Sequence, residues 1–243
     1  MIKRKPQQET SSSSDSGFTI IESLLAIIVV AILLAAISPV LVMSASIRVQ
    51  SRRIEKANQA ATTFIDGVRT KSIKAPGEYS DDNKIKLDPA TKDAPRSLED
   101  NLISLTTMPV PDTKDDSDLY LLKKDGMICH TSETGCTKSP DSPSEEFYIQ
   151  ARQILVKGSG ADEGYRLAIR VYRSDVDFDK PLLTSTESST KKTATTVTGS
   201  IGNKQAPAIE KTADIGNITT TFQALCRRLG LAPDKDGNNQ NCQ

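Results

Sequence analysis

Three residues near the N-terminus, Gly17, Phe18 and Glu22, have types and spacing that can support an ionic contact between chains. Cleavage after Gly17 would give Phe18 a free amine at the positive end of the helix that follows. Glu22 lies near the start of an otherwise uncharged apolar run, where a carboxylate is costly without a partner. We therefore expect Glu22 of one chain to pair with the Phe18 amine of a neighbour. The alternative is a glutamate at a membrane surface that reaches back to water.

The apolar run itself is long enough to cross a membrane. The 20 residues from Leu24 to Met43 carry no charge, and at about 1.5 Å per residue their helix would span a hydrocarbon core of roughly 30 Å. Basic residues before the run favour a cytoplasmic N-terminus, but basic residues also follow it, so charge alone does not decide the orientation. They are Lys3, Arg4 and Lys5 before the run and Arg48, Arg52 and Arg53 after it.

Two other interpretations of this run stay open. A cleaved secretory signal would end near Ser44-Ala45-Ser46, although the polar stretch from Pro6 to Ser16 separates the basic residues from the apolar run. A plain membrane anchor would need no partner for Glu22.

The N-terminal residues resemble those of type IV prepilins and pseudopilins. The Gly17/Phe18 junction is similar to the prepilin peptidase site, Glu22 falls on the fifth mature position, and Pro39 falls on the twenty-second. The leader of 17 residues is longer than the shortest leaders of type IVa pilins. The resemblance covers residues 1 to about 73, and beyond that point it is only architectural.

This resemblance implies an α+β fold with a long N-terminal helix packed on a small antiparallel β-sheet head. Residues 1–17 would be the leader peptide and residues 18–43 the transmembrane or filament-core helix. Residues 44–75 would continue as an amphipathic helix into a loop-rich head at 76–243.

The residues themselves predict the same helix. Ile47, Ile54, Ala61 and Val68 recur every seven residues up to about Ile73, and Pro76-Gly77 should stop the helix. Pro39 removes one backbone hydrogen bond, so we expect a kink or local melting there.

Alternating apolar residues predict the strands of the head. Segments 119–123 and 127–130 flank Asp125-Gly126, a tight-turn pair, and segments 146–156 and 165–172 flank a glycine-rich loop. Residues 78–118 are interpreted as a loop-dominated connection and residues 184–204 as a mobile Ser/Thr/Lys-rich segment. A last strand is expected at 215–221 and a short helix at 222–229.

Four cysteines in an exported head predict disulfides, for which three connectivities are possible. Local pairing, Cys129 with Cys136 and Cys226 with Cys242, is the simplest of these.

Other candidate sites are weaker. Asp234 and Asp236 lie in a calcium-like turn, but an EF-hand would need a glutamate beyond the chain end. His130 could act as the base of a catalytic triad only beside a serine or cysteine nucleophile, and no pattern in the sequence identifies one. Arg166, Arg170 and Arg173 could form a basic stripe that binds DNA, but the aromatic residues that would stack on the bases are largely missing between them.

The sequence shows no polar catalytic cluster, so a structural protein is favoured over an enzyme. The 31 basic and 31 acidic residues balance, so no nucleic acid partner is expected, and one histidine with four cysteines excludes the usual zinc cluster. No cofactor is expected.

Combined with the resemblance, these features imply a minor pilin or pseudopilin, anchored by a single pass in the inner membrane with an extracytoplasmic head and then built into a filament. Its partners would be a prepilin peptidase, other pilins and the inner-membrane assembly platform. Segments 51–55 and 64–69 resemble pseudopilins of cyanobacterial hormogonium polysaccharide secretion, which would serve gliding motility. The alternatives are a type II secretion pseudopilin, a DNA-uptake minor pilin and a membrane-anchored extracytoplasmic enzyme.

Overall fold

The computed structural model describes residues 19–96, 103, 107–139, 146–184, 203–231 and 233–242. Gly17, Phe18 and most of the segment 184–204 therefore lie outside the described residues. The chain divides into two compact units, residues 1–45 and 46–243, and each is described by itself. Helix α1 (Ile20–Arg69) contributes residues to both units.

The first unit is the apolar part of α1. Every described residue in it, from 19 to 45, is exposed. The hydroxyl of Ser23 donates to the carbonyl of Ile20 at 2.8 Å, so this polar group is satisfied within the helix. Pro39 lies inside the helix, which is continuous through it. The expected local melting is therefore absent, and the kink stays a prediction.

In the second unit, α1 packs its inner face on the sheet. The buried residues of α1 recur at helical spacing, and small alanines alternate with larger side chains so that the helix can approach the strands closely. They are Ala57, Ala60, Ala61, Phe64, Ile65 and Val68. They share one core with sheet residues such as Ile149, Leu167 and Ile169, all fully buried.

Within the described residues the sheet has six strands in the order β3-β2-β4-β5-β6, with β1 paired to β4 off this path. The strands are β1 (Lys84–Leu87), β2 (Leu119–Leu122), β3 (Ile128–His130), β4 (Phe147–Val156), β5 (Tyr165–Arg173) and β6 (Ile209–Ile215). The short helices are α2 (Pro76–Tyr79) and α3 (Phe222–Leu229). The predicted α+β class, with a long N-terminal helix and a small antiparallel sheet, is confirmed.

The pairing departs from a purely antiparallel sheet at one edge. Strand β1 runs parallel to β4, with Lys84 opposite Gln153 and Leu87 opposite Val156. All other pairs are antiparallel, and β4 and β5 form the longest ladder, from Phe147 opposite Arg173 to Ile154 opposite Arg166.

The sheet is buried on both faces. On the face away from α1, the strand residues Leu119, Leu121, Tyr148 and Tyr172 form a second cluster with Val176 and Leu182, which follow β5. A third cluster lies around Met108. Because the third cluster includes Met108 from the segment that was expected to be a loop-dominated connection, this segment adds buried side chains to the core as well as linking the helix to the sheet.

The end of α1 differs from the prediction by about one turn. The helix ends at Arg69, not near Ile73, because Lys71 adopts a left-handed conformation with φ 58°. The amides of Ser72 and Lys71 donate to the carbonyls of Gly67 and Val68, as in a Schellman cap. Ile73 then folds back across Gly67, where an added Cβ would collide with the Ile73 side chain.

The last strand is also displaced from its predicted place. Strand β6 covers 209–215, whereas the prediction of 215–221 is wrong except at Ile215. Helix α3 at Phe222–Leu229 is confirmed, with Thr221 as its N-cap and Gly230 after its last residue.

Candidate functional site

The start of α1 carries the acidic residue that was singled out from the sequence. Thr19 is the N-cap, and its hydroxyl accepts a hydrogen bond from the amide of Glu22 at 3.3 Å. Glu22 thus lies in the first turn, exposed, where a carboxylate is favoured by the helix dipole. Gly17 and Phe18 lie outside the described residues, so the pairing of the Phe18 amine with Glu22 stays a prediction.

The surface that follows Glu22 is apolar on all sides of the helix. Large side chains such as Ile20, Leu33 and Val42 are exposed by 87%, 55% and 65%. Fully burying one such side chain is worth about 1.5–3 kcal/mol, so a helix surface of this kind is stable only in lipid or among other apolar helices. Helix α1 is long and apolar enough to cross a membrane, and the structure is to that extent compatible with a single-pass membrane protein.

The disulfides follow the local pairing that the sequence favoured. Cys129 is bonded to Cys136, and Cys226 is bonded to Cys242. The second bond closes a tail that is also held by hydrogen bonds: the amide of Lys92 donates to Asn241 Oδ1 at 2.7 Å, and Arg96 Nε donates to the carbonyl of Arg228 at 3.1 Å. The C-terminal tail is therefore fixed to the segment after β1.

The three arginines of β5 form ion pairs and are largely buried. Arg166 pairs with Asp214 at 2.9 Å, Arg170 with Glu210 at 2.8 Å and Arg173 with Asp175. The Arg170 side chain has no exposed area, and those of Arg166 and Arg173 are each 15% exposed. Arg166 and Arg170 join β5 to β6, and Arg173 pairs with the turn after β5, so the hypothetical DNA-binding stripe does not exist as an exposed surface.

His130 is a core residue. It is 2% exposed and stacks on Tyr79 with ring centroids 3.7 Å apart. Its Nδ1 lies 2.6 Å from the Ser132 hydroxyl, and its Nε2 lies 2.9 Å from the carbonyl oxygen of Ser117. Both ring nitrogens therefore have partners: Nε2 connects β3 to the segment before β2, and Nδ1 binds Ser132, two residues beyond the end of β3.

The Asp234 turn is held by its own hydrogen bonds. Asp234 Oδ1 accepts from the amides of Asp236 and Asn238 at 2.9 and 2.8 Å, and these donors lower the pKa of the Asp234 carboxyl. Within the described ranges, no three His, Cys, Asp or Glu side chains cluster in a way that could hold a metal ion. The turn thus has a structural explanation without a bound cation.

A cleft at the end of α1 was not predicted from the sequence. It has a volume of about 340 Å³ and lies between the last turn of α1, helix α2 and the strands β4 and β5. The ionic side chains that line it are Lys71, Lys74, Lys84, Glu78 and Asp162, and its apolar lining includes Val68, Ile73 and Ile215. It has no signature in the sequence, because its lining comes from three separate segments of the chain that form no motif.

The back of this cleft contains Gln153, which is 2% exposed. Tyr165 lines the same cleft, and burial raises the pKa of Tyr165 to about 12. Gln153 Oε1 has no hydrogen-bond partner among the described residues. Gly77 packs against it so closely that a Cβ at position 77 would collide with Oε1.

Comparison with known proteins adds no assignment: no family model, curated protein or solved structure matches the chain.

Proposed function

We propose that the protein is a minor pilin or pseudopilin, a structural subunit of a type IV pilus-like filament. The observation that supports this best is the exposed apolar part of α1, which begins with Glu22 and continues, in the same helix, into a half that packs on a β-sheet head. Such a helix can be held in a membrane before assembly and among other helices afterwards.

In this proposal the chain is cut after Gly17 by a prepilin peptidase and methylated at the new Phe18 amine. The resemblance of segments 51–55 and 64–69 favours, among filament machines, one that serves polysaccharide secretion and gliding motility. The head lies on the extracytoplasmic side of the inner membrane, where its two disulfides are stable.

The chemistry proposed for the site is charge neutralisation. The carboxylate of Glu22 in one subunit accepts the amine of Phe18 in its neighbour, and each charge removes the cost of burying the other in an apolar environment. Because the two groups come from different subunits, the pair also sets the axial position of one helix relative to the next.

Mass spectrometry of the mature N-terminus tests the processing step. We expect a chain that begins with methylated Phe18. A mature chain that begins near Ile47 would show ordinary signal cleavage instead, and a full-length chain would leave only a membrane anchor.

The substitution Glu22→Gln tests the assembly step. It keeps the shape of the side chain but removes its charge, so cleavage should be normal while capture of partner pilins falls. Leaving one member of a buried ion pair unmatched costs on the order of 3–5 kcal/mol, which is roughly a hundredfold or more in an association constant.

Glu55→Gln is the matched control, because Glu55 is an exposed glutamate of the same helix outside the apolar run. Crosslinking yield with partner pilins, normalised to processed protein, is the measurement. If Glu22→Gln and Glu55→Gln capture partners equally well, Glu22 does not set the position of the helix.

A further inference from the structure

We propose that the cleft at the end of α1 binds a small zwitterion, an α-amino acid with an apolar side chain. The cleft lies wholly within residues 46–243, so the proposal is independent of the filament function. Its volume of about 340 Å³ falls in the lower part of the range for ligand pockets, about 300–1,000 Å³.

The cationic side of the cleft provides a place for a carboxylate. Among the described residues, neither Lys71 nor Lys74 forms an ion pair with a carboxylate, and the Lys74 ammonium lies 5.6 Å from the ring centroid of Tyr79. Lys84 is different, because its ammonium pairs with Asp81 at 2.6 Å. The ligand carboxylate is therefore assigned to Lys71 and Lys74.

The backbone of Lys71 gives a second reason to assign it a role. It occupies the left-handed position of the helix cap, where glycine is the usual residue and a lysine costs about 1–2 kcal/mol. Strain of this kind is concentrated at functional positions. Lys71 lines the cleft and brings a positively charged side chain to it, which a glycine could not do.

The opposite charge of the ligand has acceptors in the same cleft. Gln153 Oε1 is buried without a hydrogen-bond donor, and leaving such an acceptor unmatched is unfavourable. Glu78 and Asp162 line the cleft together with Gln153. A ligand ammonium is attracted by both carboxylates and by the dipole of the Gln153 amide, whose oxygen lies beneath Gly77, whereas a simple anion would be repelled by them.

The remaining lining is apolar and selects the ligand side chain. Val68, Ile73, Ala75 and Ile215 line the cleft, and the Tyr165 ring, 5% exposed, adds an aromatic wall. A branched aliphatic side chain of the size of leucine complements these surfaces.

L-Leucine is accordingly the probe, and two analogues test the charges separately. 4-Methylpentanoate keeps the carboxylate and the side chain but lacks the amine, and 3-methylbutylamine lacks the carboxylate. Saturation-transfer NMR on the full chain in detergent should give saturable binding of L-leucine, at least about fivefold tighter than either analogue.

Lys71→Gly separates binding from folding, because glycine is favoured at that backbone position. We expect L-leucine to bind about fivefold more weakly to this variant while the protein stays folded. Lys86→Ala is the control, because Lys86 is exposed on β1 and does not line the cleft. Gln153→Met, which removes the buried acceptor, should abolish the preference for leucine over 4-methylpentanoate.

Any of the following results would overturn the proposal: no saturable leucine binding at concentrations on the order of 10 mM, binding of either analogue as tight as that of leucine, or unchanged leucine affinity in folded Lys71→Gly. A peptide arm identifies the form of the ligand. Binding of the dipeptide Leu-Gly as tight as that of leucine would show that a peptide N-terminus enters the cleft, in which case the free amino acid is not the ligand and the proposal fails.

Discussion

The ion pair of Arg170 and Glu210 allows the effect of burial on an electrostatic contact to be measured. Its nitrogen–oxygen distance is 2.8 Å, and the two side chains are 0% and 11% exposed. Lys157 and Asp88 have the same distance, 2.8 Å, but are 58% and 80% exposed. Distance is therefore matched between the two pairs, which differ in residue types and, most strongly, in burial.

Removing the acid from each pair should give very different results. In Glu210→Ala the guanidinium of Arg170 stays buried without its counter-ion, a situation that costs about 3–5 kcal/mol. We expect the lower end, about 3 kcal/mol, because Arg170 also donates to the Met108 carbonyl and to Gln150 Oε1. In Asp88→Ala, an exposed and hydrated pair is lost, and the cost should be a few tenths of a kcal/mol.

The assay is thermal unfolding of the full chain in detergent, followed by circular dichroism. In a unit of this size, about 3 kcal/mol corresponds to a fall of roughly 6–12 °C in Tm. Glu210→Gln, which keeps a hydrogen-bond acceptor but loses the charge, should fall between Glu210→Ala and the unmodified protein. Equal destabilisation by Glu210→Ala and Asp88→Ala would refute the reasoning that burial decides the strength of the pair.

Three further predictions concern the helix end, the tyrosines and the tail. Gly67→Leu should destabilise the head by about 1–3 kcal/mol in denaturant titrations, since its side chain collides with Ile73, and Ile73→Ala in the same chain should recover part of the loss. Burial raises the pKa of all five tyrosines, that of Tyr165 to about 12. The neutral tyrosines therefore stabilise the folded state fully below about pH 10, and this contribution to the free energy of unfolding is lost as the pH rises through the raised pKa values. Tyrosinate absorbance should therefore rise together with loss of circular dichroism, and a rise in the folded protein near pH 10 would contradict this. Reduction of Cys226–Cys242, which closes a 16-residue separation, should cost up to about 3 kcal/mol and increase hydrogen exchange in the tail, whereas unchanged exchange would mean that the hydrogen bonds suffice.

The long helix and the central strands could be predicted because their signals are local. The alternation of apolar residues in 165–171 is enough to define β5, and Asp125-Gly126 is enough to define the turn between β2 and β3. Both disulfides join cysteines of the same local segment, so the simplest connectivity was right.

The predictions that were wrong or missing concern elements that are fixed by contacts between distant segments of the chain. Strand β6, with the sequence IEKTADI, has apolar side chains mainly at its ends. Its place is fixed by its ladder to β5 and by ion pairs to Arg166 and Arg170, which no local pattern reveals. Strand β1 has only four residues in a charged segment and is held by parallel pairing to β4. The arginines of β5 suggested an exposed stripe because nothing in the sequence showed that both sheet faces are covered.

The cleft and the end of α1 could not be predicted either, because they too depend on contacts that no local pattern shows. A glycine that is needed for close packing, as Gly67 and Gly77 are, cannot be distinguished in a sequence from one that serves a turn. Lys71 carries no signal of its left-handed backbone, because lysine is uncommon there.

The distance in sequence between Arg170 and its counter-ion has a consequence for the order of events on the ribosome. Glu210 is separated from Arg170 by 40 residues, which take about 2–8 s to synthesise at roughly 5–20 residues per second. Throughout that interval Arg170 lacks the counter-ion beside which it is buried in the folded head, and the edge of β5 has no β6 to pair with. The nascent chain is therefore kept from closing its sheet early, and the head reaches its native state only after nearly all of it has been made.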